Sequence, residues 1–121
     1  MKRYAVVLAL VALVSSGAAF RPSTAQAAES PRVIEVHAKR FGFAPNLITV
    51  KKGERVKIHL VSEDVTHGFF SKPLKVDEII SPEASVDIAL NTTTPGKYTI
   101  ICDHFCGAGH GAMAMTVVVE E

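Results

Sequence analysis

Val56-Lys57-Ile58-His59-Leu60-Val61 is the stretch that decides the fold. Val56, Ile58 and Leu60 alternate with Lys57, His59 and Val61, and a period of two is the signature of a half-buried strand. Upstream, Lys51-Lys52-Gly53-Glu54 reads as a turn, preceded by a second apolar run at Leu47, Ile48 and Val50. Ala44-Pro45-Asn46 separates that run from Val33, Ile34 and Val36. Downstream, Ser81-Pro82-Glu83 and Thr94-Pro95-Gly96 bracket Val86, Ile88 and Leu90, which alternate with Asp87 and Ala89. Tyr98, Ile100 and Ile101 follow, and Met115, Val117 and Val119 close the chain. Short strands at roughly 8–12-residue spacing, divided by Pro and Gly turn chemistry, predict an all-β sandwich or barrel. No helical stripe, internal repeat or low-complexity tract interrupts that pattern after the N-terminal segment.

Composition narrows the function. The 121 residues suit one domain. With 13 Lys+Arg against 12 Asp+Glu, the chain has no basic footprint for nucleic acid. Two cysteines are too few for a dense disulfide framework.

The N-terminus reads as a targeting segment. Lys2 and Arg3 precede an apolar stretch from Tyr4 to Val14, and small residues follow up to Ala25-Gln26-Ala27. That order predicts a secretory signal peptide over 1–27, with an uncleaved anchor as the alternative. Residues 28–32 form a polar lead-in, and 33–121 form the domain. Cleavage removes Lys2, Arg3 and Arg21, leaving 10 basic against 12 acidic residues and a mature charge of −2. The expected location is periplasmic or exported, with membrane contact only through an uncleaved N-terminus.

Chemistry concentrates in one loop between two predicted strands. Cys102-Asp103-His104-Phe105-Cys106-Gly107-Ala108-Gly109-His110-Gly111-Ala112-Met113 holds two Cys, two His and a Met. These soft and borderline donors select copper or zinc over magnesium or calcium. His67, in Asp64-Val65-Thr66-His67-Gly68-Phe69, adds one distant donor. Taken alone, Cys102 and Cys106 in an exported protein would more often close a disulfide than bind metal. His37 and His59 lie in alternating strand patterns and are expected at the surface.

The joint pattern resembles the binuclear copper loop of cytochrome c oxidase subunit II and nitrous oxide reductase: Cys-x3-Cys-x3-His-x2-Met with one upstream His. Pro95-Gly96-Lys97-Tyr98 before Cys102, and Cys106-Gly107-Ala108-Gly109-His110, are similar to the family text. The resemblance covers about residues 33–119 and implies a cupredoxin fold, a Greek-key β-sandwich. It implies two mixed-valence coppers bridged by Cys102 and Cys106, with His67 and His110 capping one copper each. Met113 would be a weak axial ligand to one copper, and the backbone carbonyl of His104 would serve the other. The family carries Glu or Trp at the His104 position, so any side-chain role there does not transfer. Met115 has the wrong spacing from His110 and is read as strand core.

A mononuclear blue-copper site needs two His, one Cys and a weak Met, which here leaves one thiolate over. Two thiolates offset much of the charge of two copper ions. With the donors committed to metal, no open coordination position remains for a substrate, so the chain is expected to be an electron carrier and no enzyme by itself. The expected partner is a c-type cytochrome or a terminal oxidase or reductase, met by a monomer. The chain lacks the transmembrane helices of oxidase subunit II and the large second domain of nitrous oxide reductase, so a stand-alone form is expected. Copper delivery without redox turnover is the alternative function.

Overall fold

The computed structural model describes Gly17 and residues 30–121. The signal-peptide reading of 1–27 therefore falls, but for Gly17, outside the described residues. Among the described residues, nine strands follow in order: β1 (Arg32–Lys39), β2 (Gly42–Ala44), β3 (Leu47–Lys51), β4 (Val56–Ser62), β5 (His67–Ser71), β6 (Val76–Ile80), β7 (Val86–Ala89), β8 (Gly96–Ile101) and β9 (Ala114–Glu120). One 3-10 turn, His110–Ala112, interrupts the loop before β9. β1 begins at Arg32, the last residue of the stretch read as a lead-in.

The strands form two sheets, ordered β2-β1-β4-β7 and β3-β9-β8-β5-β6. β1 pairs in parallel with β4, and β3 in parallel with β9, while the other pairings are antiparallel. Alternation decides which side chains enter the sandwich. Val56, Ile58 and Leu60 of β4 are buried, as are Val36 and Ala38 of β1. Facing them are Ile48 and Val50 of β3, Ile100 of β8, and Met115, Val117 and Val119 of β9. Met115 thus sits in the strand core, as its spacing suggested. Phe43 of β2 meets Phe69 of β5 edge to face, with ring centroids 5.4 Å apart, and so joins the two sheets.

The predicted turn at Lys51–Glu54 closes on its own chemistry. Glu54 N–H donates to the Lys51 carbonyl, and Lys51 N–H donates to the Glu54 carboxylate. Gly53 takes φ +76°, where a side chain is rarely tolerated.

Three strands lie outside the sequence expectation: β2, β5 and β6. β5 shows why. His67, Gly68 and Phe69 are consecutive buried residues, so no alternation is visible. Phe69 enters the sandwich core, while the opposite face of β5 is covered by the Cys102–Met113 loop. A strand buried on both faces loses its period-two signal.

Candidate metal centre

The loop that carries most of the donors leaves β8 and returns as β9, two neighbouring antiparallel strands. Its base is closed by Cys102 N–H donating to the Met113 carbonyl at 3.1 Å, one step beyond the Ile101–Ala114 pair. Its far side is tightened by His110 N–H to the Gly107 carbonyl and Ala112 N–H to the Gly109 carbonyl, both at 3.1 Å. β5, also in this sheet, brings His67 against the loop.

The thiols of Cys102 and Cys106 are free and buried, with their sulfurs 3.7 Å apart. The disulfide alternative is therefore not the state of this structure. His67, Cys102 and Cys106 each offer a ligand atom within 4.8 Å of the others, a group able to hold a metal ion. Each sulfur has further neighbours. Cys102 Sγ lies 3.1 Å from the His104 carbonyl, and Cys106 Sγ lies 3.9 Å from His110 Nδ1 and 3.8 Å from Met113 Sδ. The Gly68 N–H donates to Cys102 Sγ at 3.4 Å. All six residues singled out in the sequence thus converge on one end of the sandwich. His104 brings its carbonyl to Cys102 Sγ, while its side chain is exposed.

The orientation of His67 fits a metal. Nε2 lies 2.7 Å from Asp64 Oδ1, while Nδ1 is buried with no hydrogen-bond partner. An orphaned buried nitrogen costs free energy unless something occupies it. A ligating His commonly gives its other N–H to a carboxylate, and Asp64 stands in the place of such a carboxylate. Burial acts to raise the Asp64 pKa, but the Arg40 N–H, His67 and the Val65 N–H outweigh it and hold the group near 2. Asp64 is therefore ionised at neutral pH and accepts the Nε2 proton.

Cys106 behaves in the opposite sense. Burial, together with the adjoining Cys102 thiol, pushes its pKa up to about 11. Without metal, the Cys106 thiol is therefore neutral at neutral pH. A soft cation would displace thiol protons and find two sulfurs, two imidazole nitrogens and a thioether at hand.

The centre lies close to the surface on one side. His110 is half-buried, and Phe105, 74% exposed, sits 5.9 Å from it between ring centroids. Beside them an open cavity of about 300 Å³ is lined by Arg40, Val65, Thr66, His104, Phe105, Cys106 and Gly107.

His37 and His59 are not part of the donor group. They are half-buried on the outer face of the four-stranded sheet, paired with Glu35 and Glu63 and with Asp87 respectively. Sequence reasoning missed the roles of Asp64, Gly68, Arg40 and Phe41. Asp64 carried a signal, a carboxylate three residues before a candidate ligand. Arg40 and Phe41 carried none.

Comparison with known proteins agrees with the fold. A cupredoxin-like domain model matches residues 5–119. Cytochrome c oxidase subunit 2 of Thermus thermophilus is 35% identical over 88 residues, covering 73% of this chain and 65% of that protein. Nitrous-oxide reductase of Cupriavidus necator is 29% identical over 91 residues, covering 72% of this chain and 14% of the reductase. The chain thus spans just under two thirds of the former and a small part of the latter. In fold it resembles the periplasmic domain of subunit II of the Bradyrhizobium japonicum cytochrome oxidase, with a TM-score of 0.69 at 16% identity over 77% of this chain and 86% of that one. The chain belongs to the cupredoxin-like domain family.

Proposed function

We propose that this protein is a copper-binding electron carrier whose centre holds two copper ions. Cys102 and Cys106 would bridge the ions, and His67 and His110 would each serve one of them. Met113 and the His104 carbonyl would add one weak donor each. The observation that carries the reading is the gathering of donors around two adjacent thiols. Cys102 Sγ has the His104 carbonyl beside it, and Cys106 Sγ has Met113 Sδ and His110 Nδ1, with the sulfurs 3.7 Å apart. A mononuclear site of two His, one Cys and a weak Met would leave one of these sulfurs without a role.

Bound copper supplies one-electron redox chemistry. The chain's own residues orient the donors and keep out water. Asp64 fixes the His67 ring, and the Gly68 N–H donates to Cys102 Sγ. Buried Met113 and Phe69 shield the inner side, leaving His110 and Phe105 nearest solvent. Electrons would enter or leave there, exchanged with a c-type cytochrome or a terminal oxidase or reductase. The likeness to an oxidase subunit and to nitrous-oxide reductase supports that placement. The signal-peptide pattern over 1–27 supports export to the periplasm, where a single copy of the domain would act.

Mixing with a reduced c-type cytochrome tests the reading. Copper-loaded protein is expected to reoxidise the cytochrome, and metal-free protein to leave it reduced. A loaded protein that surrenders copper to chelators but takes no electrons would make copper delivery the function instead.

A further inference from the structure

The turn between β1 and β2 reaches the donor loop from the opposite sheet. Arg40, in that turn, makes two bonds of different kinds. Its backbone N–H donates to Asp64 Oδ2 at 2.8 Å, and the other oxygen of that carboxylate holds His67. Its side-chain Nε donates to the Cys106 carbonyl at 2.8 Å, across a sequence separation of 66 residues. One residue is thus bonded towards both arms of the donor set.

Phe41 adds a steric contact. Its ring lies so close to the loop that a Cβ at Gly107 would stand 2.8 Å from it, and a Cβ at Gly109 2.5 Å. Gly107 also takes φ +143°, a region side chains rarely adopt. The loop's own backbone bonds, Cys102 to Met113, His110 to Gly107 and Ala112 to Gly109, tie the loop to itself. They leave the position of Cys106 relative to His67 on β5 to contacts from outside the loop. Gly68 supplies one at Cys102, and the turn supplies those at Asp64 and at Cys106 itself.

We propose that Arg40, seated with Phe41, is a positioning clamp that sets the spacing of Cys106 and His67 before any metal arrives. Its consequence for copper rests on the function proposed above; the clamp itself does not. Arg40 touches no donor atom and acts only through the Cys106 backbone and Asp64. Its planar, always-charged guanidinium gives a stronger and more directional bond to a carbonyl than a neutral donor would. A site held open in its binding geometry spares the loop an ordering cost on metal uptake.

The test compares Arg40→Met, which removes the donor, with Arg40→Lys, which keeps the charge without the Nε fork. Phe41→Leu is a milder probe of the steric contact should Arg40→Met fold poorly. In the metal-free full-length chain, the amides of His110, Ala112 and Met113 are expected to exchange hydrogen about tenfold faster in Arg40→Met, with Ile58 and Val117 unchanged. Arg40→Lys is expected to recover only part of this protection. In the copper-loaded protein, release to a chelator should rise about 10- to 100-fold, with shifted thiolate-to-copper absorption bands. Loop exchange and copper release within about twofold of the parent would overturn the proposal, as would equal loosening of loop and strands. A parent protein that takes up no copper would overturn the proposed function, while the exchange measurement would still decide the clamp.

Discussion

Asp64 Oδ1 and His67 Nε2 lie 2.7 Å apart, and this contact leaves Nδ1 as the nitrogen of His67 open to a metal. Asp64→Asn offers an amide that can turn either its oxygen or its NH2 group to the ring, so the tautomer is no longer fixed. Copper affinity is expected to fall about 10- to 100-fold, with little loss of fold. Competition against a chelator of known affinity measures it, and unchanged affinity would remove Asp64 from the site. The acid limb follows from the same carboxylate. Its folded pKa is depressed from 3.8 to near 2, so its contribution to stability is present above pH 3.8 and fades as pH falls through about 2. Asp64→Asn should flatten that part of the metal-free protein's stability profile.

Gly68 has no room for a side chain. A Cβ there would stand 2.1 Å from Asp103 Oδ1 and 2.7 Å from the His104 backbone nitrogen. Gly68→Ala must push the loop away from β5 and lengthen the N–H to Cys102 Sγ bond. Overpacking of this kind costs about 1–3 kcal/mol, to be read from chemical denaturation of the metal-free protein. A shift in the thiolate-to-copper bands should accompany it. An alanine variant with parental stability and spectrum would contradict the close approach.

Those two residues mark the limit of what the sequence carried. Period-two alternation made β4, β7 and β9 visible, because one face of each strand meets the core and the other meets solvent. The loop was legible because two Cys, two His and a Met cannot be packed so closely in sequence without being close in space. β5 was invisible because His67, Gly68 and Phe69 are all buried, one face by the core and one by the loop. Arg40 and Phe41 were invisible for a different reason. Their partners are an exposed carboxylate and the backbone of a loop 66 residues away, and neither leaves a local pattern.

Cys106 sets the alkaline behaviour. Its folded pKa is raised from 9.0 to about 11, so its protonated form contributes stability that is full below pH 9 and lost as pH rises towards 11. Metal-free protein should therefore melt progressively lower across that window, and Cys106→Ala should remove much of the dependence. Copper uptake runs the other way. Each thiol proton displaced should raise apparent affinity about tenfold per pH unit through the neutral range. Calorimetry in buffers of different ionisation enthalpy would count the released protons, and a pH-independent affinity would contradict thiolate binding.

Cys106→Ser removes one sulfur and keeps the volume nearly the same. Cys102, His67, His110 and Met113 still form a set that suits one copper. The variant is expected to bind at most one ion, with a localised electron-spin signal in place of a shared one. Retention of the parent's copper content and spectrum would exclude a bridging role for Cys106.

The central claim is that the two thiols hold two copper ions sharing one electron. The most direct test is copper analysis with electron paramagnetic resonance, on protein reconstituted with copper under reducing conditions and then reoxidised. Two coppers per chain, with hyperfine structure from one unpaired electron spread over two nuclei, is the predicted result. One copper with a signal localised on a single nucleus, or no bound copper with Cys102 and Cys106 oxidised to a disulfide, would contradict it.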